Sequence, residues 1–539
     1  MHNLMQDWPL LLTRIIDHAA RFHGQRKVIT RTTEGPIAHT NYGEIRSKAL
    51  KVGQGLAAMG LGRGDTVGVM AWNTARHLEI WYGAPGAGTV LHTLNPRLFA
   101  DQLVYIINHA EDKVIFVDRD LVPVIEGVRD RLETVKTIIV MTDEAHMPQT
   151  SMEVMCYETW LDGIDGDFAW VDVDERDACG MCYTSGTTGN PKGVVYTHRS
   201  NVLHAMTSAQ PDSLGLSSAD RIMPVVPLFH ANGWSIGYTA PLTGASMVMP
   251  GRDLTPSALH EMLEHGVTIT AAVPTIWLML LQHMEAESLS LSSLNRVVIG
   301  GSSCPRAVIE AFQNKYGVRV LHAWGMTEMS PLGTVCSFKP EVHEMDPEAQ
   351  LNTQETTGHP PFTVDLKITD DNGKELPWDG QTQGKLWAKG DAVVARYHKA
   401  DEPAAVTGWF DTGDVATITE HGYMAITDRS KDVIKSGGEW ISSIELENAA
   451  LGHSDVAEAA AIGVPHPKWD ERPVLVVVRK PDTSPEKQEI LDVVAQRFAK
   501  WQVPDDVIFM DEIPHTATGK ISKLELRKAL QRQGYSLPG

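Results

Sequence analysis

The stretch Tyr183-Thr-Ser-Gly-Thr-Thr-Gly-Asn-Pro-Lys-Gly193 decides the reading of this 539-residue chain. Gly186, Gly189 and Gly193 let the backbone turn tightly and approach a ligand without side-chain clash. Successive N–H groups in such a turn form an anion-binding concavity, and the hydroxyls of Thr184, Ser185, Thr187 and Thr188 add donors. Lys192 brings a point positive charge. Together these residues suit the grip of a polyphosphate. The spacing is not G-x-x-x-x-G-K-[ST], so this is not the Walker pattern. The apolar run Ala178–Tyr183 just before it predicts a strand feeding the loop.

Outward from that loop, helical stretches alternate with short apolar strands such as Val114–Asp118, Thr137–Met141 and Arg296–Ile299. That alternation predicts α/β layers with largely parallel sheets. From about Gly358 the texture changes to short strand-like runs punctuated by Asp371-Asn-Gly373, Asp379-Gly380 and His421-Gly422, which predicts a small sheet subdomain. A charged turn, Asp428-Arg-Ser-Lys-Asp432, then introduces a terminal block. That block reads strand (Asp432–Ile434), helix (Ile441–Leu451), strand (Val456–Ile462), strand (Val474–Val478) and helix (Pro485–Lys500). The expected division is a large domain over 1–429 and a small α+β lid over 430–539, with a hinge near Lys431.

A chain of this length is too long for one hydrophobic core. Its 42% hydrophobic and 21% charged content is ordinary for a soluble globular protein. The net charge of −21 argues against non-specific nucleic-acid binding, which needs a basic surface, yet permits a locally basic site for an anionic substrate. The N-terminal MHNLMQDWPLLLTRIIDHAARFHG lacks a basic n-region and a small-residue cleavage site, so it reads as an amphipathic helix. No window is long and apolar enough for a membrane span. Five cysteines, 156, 179, 182, 304 and 336, suit a reducing compartment, and a cytoplasmic location is expected. The Cys179-x-x-Cys182 pair has no second pair to complete a metal site, so buried thiols are expected.

The loop matches, at every fixed position, the phosphate-loop signature of the acyl-adenylate-forming enzymes, which include acyl-CoA synthetases, peptide-synthetase adenylation domains and beetle luciferases. Further segments resemble that family's motifs in order. They are Pro227-Leu-Phe-His-Ala-Asn-Gly-Trp234, Ile299-Gly-Gly-Ser-Ser303, His322-Ala-Trp-Gly-Met-Thr-Glu328, Gly408-Trp-Phe-Asp-Thr-Gly-Asp414, Ser436-Gly-Gly-Glu-Trp440 and Pro514-His-Thr-Ala-Thr-Gly-Lys520.

The resemblance implies a carboxylate:CoA ligase using ATP, Mg²⁺ and coenzyme A on a small carboxylic acid. His230 gates the carboxylate site, while Trp234 and Gly301 line the acyl pocket. Gly301, Ser302, Ser303, His322, Ala323, Trp324, Gly325 and Met326 surround adenine; Trp324 stands where relatives usually have Tyr. Thr327 contacts the α-phosphate. Glu328 holds Mg²⁺ with help from Thr184, in keeping with a hard cation's preference for oxygen. Asp414 binds the ribose hydroxyls, Arg429 is a second ribose or phosphate contact, and Lys431 is the pivot. Lys520 serves adenylation; Lys435, Ser436, Gly437, Gly438, Glu439 and Trp440 serve thioester formation. The segments Leu91–Arg97, Leu103–Ala110 and Ile462–Pro473 are most similar to the short- and medium-chain fatty-acid branch. A general medium-chain ligase and an adenylating enzyme serving a carrier protein are the alternatives, and a homodimer is expected.

Overall fold

Runs of β-branched residues bounded by helices build two largely parallel sheets at the centre of the first of two compact units. The computed structural model describes residues 4–184, 190–436, 439–515 and 521–535. The first unit is Met1–Asp365 with Lys389–Phe410; the second is Leu366–Ala388 with Asp411–Gly539.

Across the seven-stranded sheet the order is Met155–Cys156, Thr137–Met141, Asp112–Asp118, Thr66–Met70, Val90–Thr93, Ala178–Thr184, Lys192–Thr197. All neighbours are parallel except the last pair. The eight-stranded sheet runs Leu332–Val335, Arg319–Gly325, Arg296–Gly300, Ile269–Ala272, Arg221–Pro224, Ser246–Met249, Lys27–Arg31, Ile37–Asn41, antiparallel only at its two edges. Thr66–Met70, Val90–Thr93 and Ile269–Ala272 are buried at every position, as strands covered on both faces must be. The expected α/β layering holds.

Helix Ala75–Gly86 starts where the Thr74 side chain accepts from the His77 N–H, and only Arg76 in it is not buried. Gly83 allows it to cross helix Tyr42–Ala58 closely, since a methyl there would come 2.6 Å from Val52 Cβ. The N-terminal helix spans Leu12–His23 and buries Leu12, Ile15, Ile16 and Ala19. It begins later than the sequence suggested because Pro9 biases the preceding residue towards extended backbone.

A five-stranded sheet contains Val364–Thr369, Gly384–Gly390, Ala405–Val406, Trp409–Ile418 and Met424–Arg429. The turn signals fall where expected, with φ of 82° at Gly373, 74° at Gly380 and 82° at Gly422. The C-terminal block contains strands Ile434–Ser436, Glu439–Ile441, Val456–His466 and Asp470–Arg479, and helices Ser443–Ala450 and Lys487–Ala495. The second helix is shorter than the expected Pro485–Lys500. Strand Asp506–Phe509 and helix Lys523–Arg532 complete the block.

Residues 411–429 fall in the same compact unit as the C-terminal block. Within that unit the Asp428 carboxylate accepts from the Ser443 N–H at 2.6 Å and from the Ser443 hydroxyl at 2.9 Å.

Candidate active site

The strand Ala178–Thr184 enters the glycine-rich loop and Lys192–Thr197 leaves it, pairing Tyr183 with Gly193 and Thr184 with Lys192. The expected ligands Ser185, Gly186, Thr187 and Thr188 lie outside the described residues. The stem is tightly packed. A methyl on Gly193 would stand 3.0 Å from both His398 Cβ and Tyr183 Cζ. The Tyr183 hydroxyl lies 2.7 Å from His109 Nδ1. Lys192 Nζ sits 4.8 Å from the centroid of the Tyr397 ring, a cation–π distance.

Glu328 lies in the short turn Thr327–Met329 and is buried. Its Oε1 accepts from the Tyr397 hydroxyl at 2.8 Å, and its carbonyl accepts from the Val394 N–H at 2.7 Å. The Tyr196 hydroxyl donates to the Thr327 carbonyl at 2.9 Å. Among the described residues no group of three or more His, Cys, Asp or Glu could hold a metal. A buried carboxylate joined through Tyr397 to the neighbourhood of Lys192 is the kind of group that fits Mg²⁺ nonetheless, because that ion is commonly held by one or two carboxylates together with substrate phosphates.

Strands Arg296–Gly300 and Arg319–Gly325 run side by side with Gly300 opposite Ala323. Gly301, φ 85°, carries the chain out towards Ser302 and Ser303. His322 is buried with Nδ1 3.0 Å from the Glu355 carbonyl, and burial holds its pKa below the ordinary imidazole value. Trp324 lies opposite Thr334, its indole covering Gly333, where no side chain would fit. Gly325 is required likewise, since a methyl would strike the Pro331 carbonyl. The Met326 N–H donates to that same carbonyl at 3.0 Å.

His230 precedes an unusual left-handed run: Ala231, Asn232, Gly233, Trp234 and Ser235 have φ between 45° and 60°. Left-handed backbone costs a non-glycine residue roughly 1–2 kcal/mol, so the run needs anchors. Asn232 is buried and donates to Asn201 Oδ1 at 2.7 Å, while Gly233 packs on Leu228. The result is to bring Trp234 against Gly300: a methyl on that glycine would stand 3.2 Å from Trp234 Cη2. Trp234 thus stands against Gly300, the residue before Gly301.

In the second unit Asp414 and Arg429 are cross-strand partners, with Arg429 Nε 2.9 Å from the buried Asp414 Oδ1. Lys431 is exposed in the charged turn, and the adjoining Asp432 accepts from Arg527 at 3.0 Å. Lys435 pairs across strands with Trp440, and Ser436 with Glu439. The Ser436 hydroxyl accepts from the Arg472 guanidinium at 3.3 Å. Gly437, Gly438 and Lys520 lie outside the described residues, as does the Glu439 side chain. The five cysteines are buried and free, as expected; Cys179 and Cys182 do not pair with each other. Sequence reading missed Tyr397 and Tyr196, which hold the 327–328 turn.

Residues 16–398 match the model of the AMP-binding enzyme family, and residues 445–520 match the AMP-binding enzyme C-terminal domain. The chain belongs to the AMP-binding enzyme family. It is 49% identical over 528 residues to a 3-methylmercaptopropionyl-CoA ligase of Ruegeria lacuscaerulensis, covering 97% of this chain and 98% of the relative. It is 45% identical over 524 residues to a medium-chain-fatty-acid–CoA ligase of Ectopseudomonas oleovorans, covering 96% of each. Its fold matches the crystal structure of an anthranilate CoA ligase in complex with anthranoyl-AMP with a TM-score of 0.86 at 25% identity, over 98% of this chain and 100% of that one.

Proposed function

We propose that this protein is an ATP-dependent carboxylate:CoA ligase whose substrate is 3-methylmercaptopropionate or a short- to medium-chain acid of similar length. The observation that carries the reading is the assembly, in one compact unit, of Thr184 and Lys192 at the phosphate-loop stem with the buried carboxylate of Glu328. The substrate assignment is supported by the near full-length likeness to the Ruegeria ligase.

A carboxylate does not acylate a thiol directly, because oxide would have to leave. In the first half-reaction a carboxylate oxygen attacks the α-phosphorus of ATP and pyrophosphate departs. In the second the CoA thiol sulfur attacks the acyl carbon, its proton passes to solvent, and AMP departs. Thr184, Ser185, Gly186, Thr187, Thr188 and Lys192 hold the β- and γ-phosphates. Bound Mg²⁺, held by Glu328 and Thr184, would offset the negative charge of the triphosphate. Gly301, Ser302, Ser303, His322, Ala323, Trp324, Gly325 and Met326 surround adenine, and Thr327 faces the α-phosphate. His230 gates the acid, and Trp234 with Gly301 shapes its pocket.

Asp414 accepts from the ribose hydroxyls, a role supported by the Arg429 guanidinium that fixes its carboxylate. A lid of residues 430–539 turns on the large domain at Lys431. It presents Lys520 for adenylation and then Lys435, Ser436, Gly437, Gly438, Glu439 and Trp440 for thioester formation. The enzyme acts as a cytoplasmic homodimer. A CoA-dependent AMP-release assay over C2 to C10 acids and 3-methylmercaptopropionate tests the reading. AMP release with none of these acids overturns it. A kcat/KM maximum at octanoate or beyond favours the medium-chain reading, which the Ectopseudomonas relative supports.

A further inference from the structure

We propose that Tyr397 is a positioning residue that joins the phosphate-gripping lysine to the metal-holding carboxylate, so that one phenol sets the distance between the two. This rests on the reading of Glu328 as the carboxylate that holds Mg²⁺. The geometry is two-sided. The Tyr397 hydroxyl donates to Glu328 Oε1 at 2.8 Å, and its ring lies 4.8 Å from Lys192 Nζ.

The backbone around it is pinned at both ends. Towards the N-terminus the Val394 N–H donates to the Glu328 carbonyl at 2.7 Å, and the Ser330 hydroxyl donates to the Ala392 carbonyl at 2.9 Å. Towards the C-terminus the His398 N–H donates to the Gly193 carbonyl at 2.8 Å. The segment from Ala392 to His398 therefore bridges the turn that carries Glu328 and the strand that carries Lys192. Beneath it Cys182, Val194, Tyr196 and Phe410 form an apolar bed, against which Tyr397 packs.

The physical consequence follows from the charges. A lysine and a carboxylate that both face a triphosphate also attract each other, and direct pairing would take both away from the ligand. A tyrosine satisfies each separately, the ring face taking the cation and the hydroxyl taking one carboxylate oxygen. Such outer partners fix the orientation of a ligand side chain, and their loss typically weakens metal affinity about 10- to 100-fold.

Two binding measurements, neither of them turnover, test the assignment. The first is Mn²⁺ affinity of the full-length protein saturated with α,β-methylene-ATP, read by electron paramagnetic resonance. The second is affinity for the same analogue in EDTA, read by equilibrium dialysis. Tyr397→Phe keeps the ring and should weaken Mn²⁺ binding about tenfold while metal-free analogue binding stays at the wild-type value. Tyr397→Leu should weaken both. Glu328→Gln should weaken Mn²⁺ binding at least as much as Tyr397→Phe. Wild-type Mn²⁺ affinity in Tyr397→Phe, alongside a weakened Glu328→Gln, overturns the inference alone. Wild-type affinity in Glu328→Gln removes the metal reading and this inference with it. Equal losses of both affinities in Tyr397→Phe mark general loosening and also overturn it.

Discussion

Replacing Trp234 by alanine should lengthen the preferred acid. The indole is half-buried and lies against Gly300, beside the Gly301 turn. Its removal leaves room for about four methylenes along an acyl chain, each worth about 0.8 kcal/mol once buried. The gain per added methylene is then about fourfold in kcat/KM, and about 200-fold over four of them. Butyrate and 3-methylmercaptopropionate, which need the wall, should lose activity while octanoate gains. Wild-type enzyme should separate 3-methylmercaptopropionate from pentanoate only weakly, because sulfur for methylene changes the volume little. The assay is kcat/KM for a series from C3 to C12, with unfolding midpoints checked because the variant also sheds packing. Full burial would make that loss about 3–5 kcal/mol, and half burial makes it less. A uniform fall at every chain length would falsify the reasoning and leave Trp234 a packing residue.

Three further outcomes are expected. Lys520→Ala should abolish pyrophosphate release yet spare CoA attack on preformed adenylate, and Lys435→Ala should do the reverse; equal loss of both half-reactions in both variants would refute the division. Gly300→Ala should lower the unfolding free energy by about 1–3 kcal/mol, because the new methyl meets the Ala323 carbonyl oxygen at 2.9 Å; an unchanged denaturation midpoint rules out that contact. Burial pushes the Glu79 carboxyl up to about 7, with Lys48 opposing it. The native state therefore holds a proton that the unfolded chain releases from about pH 4.5, and stability falls by up to about 3 kcal/mol as pH rises to 7. Glu79→Gln keeps an acceptor for the Tyr157 hydroxyl and should flatten that decline, as urea midpoints at pH 5 and pH 8 will reveal.

The parts legible in the sequence are those in which chemistry fixes residue type at short spacing. The glycines and lysine of 183–193, the 322–328 segment and the 408–414 segment announce themselves locally. The parallel sheets were legible too, because strands such as Val114–Asp118 are buried on both faces and therefore read as unbroken apolar runs. What sequence did not disclose depends on distance or on backbone sign. Tyr397 meets a carboxylate 69 residues away, and no pattern in either segment encodes that meeting. The left-handed course of 231–235 contains one glycine among five residues, so composition pointed to ordinary helix or loop. Asp428 reads as part of a solvated charged turn. In the fold it is nearly fully buried, bonded to Ser443, and pushed up to about 6 by burial against the pull of Lys523.

The five buried thiols make this chain a convenient host for optical labels. None is solvent-facing, and burial raises the pKa of Cys179, Cys182, Cys304 and Cys336, which keeps them protonated and slow towards maleimides at neutral pH. Gln25→Cys in the first unit and Gln488→Cys in the second, both at exposed positions, would then take a donor and an acceptor dye without stripping the native cysteines. Energy transfer between the dyes would test whether the second unit moves as the proposed lid during a single turnover, with ATP and acid added first and CoA second. The motion inferred from two lysines in one small domain becomes a distance recorded in real time.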